Sequence, residues 1–94
     1  MGISKDISEV TMLQANKGKK IFRKKLRGIC KSTSERFAQI HTHDEWKNFN
    51  TTETFQIEFH NLCPKKEFEL EEKWIKPLYA FTIFYTKNAT LFVE

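Results

Sequence analysis

The spacing of apolar residues in the basic stretch of residues 15–31 constrains the fold more than any other feature. Within it, Phe22 is followed four, seven and eight positions later by Leu26, Ile29 and Cys30. This i, i+4, i+7, i+8 spacing places the four side chains along one stripe of an α-helix. The stretch therefore predicts an amphipathic helix that packs against a core through that stripe.

Further helices are predicted along the rest of the chain. Residues 32–35 (STSE) and 42–45 (THDE) are capping-box patterns, in which a hydroxyl and a carboxylate satisfy free backbone donors of a first helical turn. Residues 55–60 (FQIEFH) suit either a helix or a strand. We favour a helix ended by Pro64, because the chain offers no second convincing strand for pairing.

The last third of the chain carries another helical stripe, interrupted by a proline. Proline costs ~3 kcal/mol inside an unbroken helix, because it lacks a backbone donor and its ring clashes with the preceding turn. Since Pro77 falls within the pattern, we expect a break near Lys76. The apolar positions that share this stripe are Leu70, Trp74, Leu78, Phe81 and Tyr85.

The composition favours a single helical domain. Three Gly and two Pro in 94 residues are too few for an all-β sandwich with many tight turns, and nine Phe supply material for a core. We predict four or five short helices in one domain at residues 15–94, preceded by a flexible or helical lead-in at residues 1–14. No apolar run approaches the ~20 residues that span a bilayer, so no transmembrane segment is expected.

Positive charge is concentrated in the first third of the chain. Residues 1–31 contain nine Lys or Arg and two acidic residues, whereas residues 32–94 contain seven Lys or Arg and ten acidic residues. A one-sided basic surface attracts acidic proteins, nucleic acids or anionic membranes. We call its central six residues the basic face: Lys19, Lys20, Arg23, Lys24, Lys25 and Arg27.

No catalytic motif stands out, so we predict that the chain is not an enzyme. A glycine-rich phosphate loop and a GxSxG motif are both absent from the sequence. Four neighbouring glutamates are typical of a solvent-exposed acidic surface, and not of two carboxylates held at the separation that acid–base catalysis requires. They are Glu67, Glu69, Glu71 and Glu72.

The histidines and cysteines leave alternatives open. His41, His43 and His60 are of the type that binds zinc or copper, but the paired ligand spacing of a structural zinc module is missing. Cys30 and Cys63 allow one intramolecular bridge, worth roughly 3–4 kcal/mol in the chain-entropy model. In a reducing compartment they would instead be two buried thiols.

Several stretches together resemble a known family. ANKGKKIFRKKLRGIC (residues 15–30) is similar to the opening helix of a class I c-type cytochrome, which is Lys-rich, carries Phe on its inner face and ends at a cysteine. PLYAFTIFYTKNA (77–89) resembles the closing helix, whose aromatic face packs across the first. RFAQIHTHDEW (36–46) and LCP (62–64) look like parts of a small bacterial group that keeps this frame without the haem motif.

The departures from the family concern haem. Covalent attachment needs C-x-x-C-H, in which two thiolates form thioethers and the His ligates iron. Here KSTS follows Cys30, and both methionines, Met1 and Met12, precede the first helix. The resemblance thus implies a cytochrome-c-like arrangement, first and last helices packed across each other, without covalent haem. It also implies that Cys30, at the position of a haem-binding cysteine, forms a structural disulfide with Cys63.

The function implied by the resemblance and by the basic face is that of a non-enzymatic, exported module in the periplasm, without a cofactor. It would bind a redox or another acidic protein partner. One alternative is electron transfer with non-covalently bound haem, and another is a small basic nucleic-acid-binding protein. Metal carriage ranks behind these. The possible haem or metal ligands are His41, His43 and His60.

Overall fold

The computed structural model describes residues 5–63 and 70–86. Within these ranges the chain is helical, and its only β-type pairing is an isolated antiparallel bridge between Asp6 and Thr51. The all-α prediction is confirmed for this part of the chain, and residues 55–60 lie inside a helix. No described helix combines the length and apolar character needed to cross a membrane.

A non-helical segment precedes the first helix. The backbone N–H of Ile7 donates to the Asn50 carbonyl at 2.8 Å, and the Ile7 side chain is buried in the core. The first helix begins after Thr11, whose side chain and that of Gln14 form a capping box. Residues 5–11 of the predicted lead-in are not helical, whereas residues 12–14 belong to the first helix, because the Thr11 cap sets the helix start at Met12.

The first helix runs without interruption in three parts. These are α1 (Met12–Ile21), a π-helical turn (Phe22–Leu26) and α2 (Arg27–Cys30), closed by Lys31 in the left-handed conformation at φ 53°. In an α-helix of 3.6 residues per turn, four residues exceed one full turn, so side chains spaced four apart rotate progressively away from a common face. The wider π turn, with its i→i+5 bonds, offsets that rotation. It keeps the three inner side chains buried in one core, namely Phe22, Leu26 and Cys30.

Four more helices complete the described part, giving five when the three-part helix is counted once. They are α3 (Ser34–Ala38), α4 (His43–Lys47), α5 (Thr52–Leu62) and α6 (Glu72–Tyr85). A helix begins within each of the two predicted capping patterns, with Thr33 and Thr42 as the N-caps. Pro64, expected to end α5, lies outside the described residues, as do Glu67 and Glu69 of the acidic run.

Aromatic rings fill the space between the helices. The Phe22 ring of the first helix lies 4.8 Å from the ring of Phe37 in α3 and 5.7 Å from that of Phe81 in α6. The Trp46 indole N–H in α4 donates to the Ala38 carbonyl at 2.8 Å, which satisfies the one polar atom of that buried ring. The rings of Phe55 and Phe59 bring α5 into the same core.

The first and last helices pack against each other, as the resemblance implied. The closest approach is at Gly18 of α1, where an added Cβ would lie 1.9 Å from the carbonyl oxygen of Pro77. The expected break near Lys76 is wrong, because α6 continues from Glu72 to Tyr85 with Pro77 inside it. Burial on both sides of the proline, at Ile75 and Leu78, holds the helix together despite the lost backbone hydrogen bond.

Candidate protein-interaction surface

The basic face lies on the outer side of the three-part first helix. Five of its six side chains are exposed, and the sixth, Lys19, is half-buried. The orientation follows from the packing, since Phe22 and Leu26 of the same helix are fully buried and turn the intervening cations outward. The helical wheel drawn from the sequence thus places these side chains as the structure does.

Among the described contacts, Lys19 is the cation of this face that is tied into the rest of the fold. Its Nζ atom lies 3.5 Å from Oε2 of Glu35 in α3 and 4.9 Å from the centre of the Tyr85 ring in α6. Both contacts are favourable for an ammonium group at a partly buried position. Lys19 therefore links α1 to α3 and α6. The other five cations of the basic face are exposed and are the ones that a partner could contact.

A polar recess borders the basic face. It has a volume of about 250 Å³ and is lined by Arg23, Arg27, Thr33, Ser34 and Glu35. The pKa of Glu35 is lowered, chiefly by its own backbone N–H and then by the Ser34 hydroxyl and Lys19. The recess therefore combines two guanidinium groups with a carboxylate, which suits a partner that presents both carboxylates and hydrogen-bond donors.

The acidic side chains in the described part of the chain neutralise little of the charge of the basic face. Between residues 5 and 63 and between 70 and 86, the ion pair Lys19–Glu35 is the only one that reaches it. The other ion pairs in these ranges join residues elsewhere, such as Lys5 with Glu72 and Lys73 with Glu71. Unpaired exposed cations leave a positive potential that attracts anionic partners within roughly one Debye length, about 8 Å at physiological ionic strength.

His41 is engaged by protein side chains on both ring nitrogens. Its Nδ1 lies 3.2 Å from Glu45 Oε1, and its Nε2 lies 2.7 Å from Glu58 Oε2. The ring also meets the indole of Trp46 edge-on, at 4.9 Å between centres. His41 thus joins α4 to α5, and the Thr86 hydroxyl donates to its backbone carbonyl.

The other two histidines lie in separate grooves. His43 lines a groove with Lys47 and Tyr79, whereas His60 lines another with Gln56 and Leu70. Within the described ranges, no group of three His, Cys, Asp or Glu side chains is arranged to hold a metal ion. The structure therefore does not bring His41, His43 and His60 into one ligand set.

The two cysteines meet in the core. The Sγ atoms of Cys30, at the end of α2, and Cys63, just after α5, lie 1.94 Å apart, which is a disulfide distance. Both residues are buried. The structure thus brings together the pair that the resemblance implied.

The residues present do not fit covalently attached haem. The thiols of Cys30 and Cys63 lie against each other, so neither is placed to form a thioether. Both ring nitrogens of His41 are engaged by carboxylates. Met12 was expected to precede the first helix, but it is the first residue of α1, because the Thr11 cap starts the helix earlier than predicted. Its side chain is partly exposed. Among the described residues, aromatic side chains occupy the core between the helices.

Sequence reasoning missed the partners of these residues. Glu58 contacts His41 across 17 positions, and Tyr85 meets Lys19 across 66. No local pattern indicates either contact, because both depend on how α5 and α6 pack.

A comparison with known proteins found no match for this chain among family models, curated proteins or solved structures.

The carboxylate of Glu45 gives a pH-dependent prediction. Its pKa is lowered from the ordinary 4.5, first by the backbone N–H of Thr42 and then by the His41 ring. A lowered pKa in the folded state contributes stability above the unfolded value, and this contribution is lost as pH falls through the folded pKa. Glu45→Gln keeps the capping geometry and removes the charge. We expect the variant to melt at a lower temperature than wild type at pH 7.

The melting-temperature difference should shrink as the pH falls below about 4.5 and vanish once Glu45 is protonated in both states. Melting curves from pH 7 to 3 measure it, and a carboxyl-carbon NMR titration of Glu45 should give a midpoint below 4.5. A midpoint at or above that value, with a pH-independent difference in melting temperature, would show that neither Thr42 nor His41 stabilises the charge.

Proposed function

We propose that this protein is a non-enzymatic interaction module that binds an acidic protein, a redox partner among them, through its basic face. The observation that carries the proposal is the set of five exposed cations on one continuous helix, none of which forms an ion pair with a residue that the structure describes. Electrostatic encounters of this kind accelerate association and orient the partner before close contacts form. Small charge-steered interfaces are typical of transient complexes, including those of electron transfer.

The neighbourhood of the basic face favours a protein over a nucleic acid. Glu35 lies in the recess beside Arg23 and Arg27 and would repel a phosphate backbone. Single-stranded nucleic acids bind to exposed aromatic side chains on which bases stack. The exposed large apolar side chains of the described ranges contain no aromatic ring: they are Met12, Leu13, Ile40 and Ile57.

The proposal extends to the frame and the compartment. Packing of α1 on α6 at Gly18 supports a cytochrome-c-like arrangement of the helices. The Cys30–Cys63 pair supports an oxidising compartment such as the periplasm, because disulfides persist there and are rare in the cytosol. Both belong to the same hypothesis: an exported module that keeps the helical frame and uses a cross-link where a cytochrome uses haem.

Charge reversal tests the proposed interface. The variant Lys20→Glu, Lys24→Glu, Arg27→Glu reverses three exposed cations of the basic face. We expect it to bind poly-L-glutamate about tenfold or more weakly than wild type, with a flatter dependence on salt. Isothermal titration at two ionic strengths measures both effects.

The matched control is Lys5→Glu, Arg36→Glu, Lys73→Glu, which changes the net charge equally at three exposed positions outside the basic face. The proposal requires the control to retain more binding than the basic-face variant. Equal losses would mean that only total charge matters. Tighter binding to duplex DNA than to poly-L-glutamate at the same salt would favour the nucleic-acid alternative, and haem absorption bands on titration would favour the haem alternative.

A further inference from the structure

A second groove, separate from the basic face, lies where the N-terminal segment, α4 and α6 meet. Its volume is about 260 Å³. Small-molecule sites are concave and mostly apolar, with a few well-placed polar groups that fix the orientation of the ligand. The residues that line this groove are Ser8, Val10, His43, Lys47, Asn50, Tyr79, Ile83 and Phe84.

One side of the groove is apolar. Tyr79 and Ile83 are four residues apart on α6, so their side chains share a helix face. Both are buried, at 2% and 7% exposure, and Val10 and Phe84 beside them are half-buried. This wall offers a fixed apolar surface about the size of one ring.

A second side of the groove carries a lysine and a histidine from α4. His43 and Lys47 are four residues apart on α4 and share one helix face, so both reach the groove from the same direction. Ser8 and Asn50 add neutral polar groups, and among the described residues that line the groove none is acidic. The charge of Asp6 acts on Tyr79, and the Asp6 carboxylate accepts a hydrogen bond from the Ser8 backbone N–H.

The hydroxyl of Tyr79 is a hydrogen-bond donor among the residues that line the groove. Its ring packs edge-on against Phe55 at 5.6 Å between centres, which fixes its position in the wall. Burial, together with the charge of Asp6, raises the pKa of Tyr79 to about 12, so the hydroxyl keeps its proton at any physiological pH. A protonated hydroxyl beside the ammonium group of Lys47 suits an anionic acceptor.

We propose that this groove binds a small organic carboxylate, with its apolar body on the α6 wall and its carboxylate toward Lys47 and His43. The groove is slightly smaller than the ~300 Å³ at which drug-sized pockets begin, so a single ring or a short alkyl chain matches it. Binding here is independent of the basic face, since the two sites share no residue.

A matched pair of probes tests the charge requirement. Phenylacetate and phenylacetamide have the same ring and nearly the same shape, and only phenylacetate is charged. In two-dimensional amide NMR we expect phenylacetate to shift signals of the lining residues, such as Ser8, Lys47 and Ile83. We expect phenylacetamide to bind roughly fivefold more weakly, as for loss of one partly exposed ionic contact.

A matched pair of variants tests the residues. Lys47→Gln should reduce the affinity for phenylacetate to that for phenylacetamide, and leave phenylacetamide binding unchanged. Lys73→Gln, the same change of charge at an exposed position outside the groove, should leave both affinities at wild-type values. Tyr79→Phe keeps the ring and removes the hydroxyl, so it should weaken phenylacetate by about threefold.

Three results would overturn the proposal. They are no shifts localised to the lining residues at millimolar phenylacetate, equal affinities for the two probes, and equal effects of Lys47→Gln and Lys73→Gln. Equal effects of the two substitutions would mean that phenylacetate binding depends on the net charge of the protein and not on this groove.

Discussion

Replacing Gly18 with alanine is expected to lower the free energy of unfolding by about 3 kcal/mol, the upper end of the range for overpacked cores. An alanine Cβ would lie 1.9 Å from the carbonyl oxygen of Pro77 and 2.4 Å from its carbonyl carbon. Both are backbone atoms in the middle of α6, flanked by the buried side chains of Ile75 and Leu78. Relief therefore requires the two helices to separate, which opens the core that α1 and α6 share.

Gly28 provides a matched control on the same helix. A Cβ built there meets nothing within 4 Å, and neither glycine has a positive φ. Gly28→Ala should therefore be neutral or stabilising by about 0.5–1 kcal/mol, because alanine is the better helix former. Urea unfolding followed by circular dichroism compares the two variants. If Gly18→Ala were as stable as Gly28→Ala, α1 and α6 would not cross at this glycine.

The sequence was informative wherever the cause of a structure is local. The helix starts at α3 and α4 depend on residues within one turn, and the Thr42 cap with its capping box was predicted correctly. At α3 the N-cap is Thr33, one residue after the predicted Ser32, and it bonds to the backbone N–H of Arg36. The inner stripe of the first helix was likewise predicted, since Phe22 and Leu26 are the apolar positions of a periodic pattern and both are buried. Local periodicity also gave the outward orientation of the basic face.

The prediction at Pro77 failed for a tertiary reason. Local chemistry favours a break, because proline has no backbone N–H and so removes one of the hydrogen bonds that stabilise a helix. What the sequence alone does not reveal is that Pro77 packs on Gly18, 59 positions earlier, with buried side chains on either side. Burial of an apolar helix face contributes more than the single lost bond costs, so the helix continues.

The π turn and the grooves were also beyond sequence reasoning. The π turn adjusts the inner stripe to a core whose other walls come from α3, α5 and α6. The groove beside Tyr79 combines Ser8, Lys47 and Ile83, which are far apart in the sequence. Neither feature has a local signature, because each arises only when helices from distant parts of the chain pack together.

Removal of both cysteines is expected to lower the free energy of unfolding by about 3–4 kcal/mol, if the pair is oxidised. The estimate follows from the 33-residue separation of Cys30 and Cys63, which sets the entropy that a cross-link removes from the unfolded chain. Since small domains are stable by only about 5–15 kcal/mol, the loss would be a large fraction of the total. Denaturant unfolding of Cys30→Ala, Cys63→Ala measures it.

Wild-type protein unfolded in the presence of a reductant is the control, and it should approach the stability of the double variant. The intact mass of protein exported to an oxidising compartment, after thiol alkylation without reductant, tests the bond directly. We expect a mass two hydrogens below the reduced value, with no alkylation. Two alkylated thiols would instead show a reduced pair, and would contradict both the oxidising compartment and the idea that this cross-link supplies stability that haem gives a cytochrome.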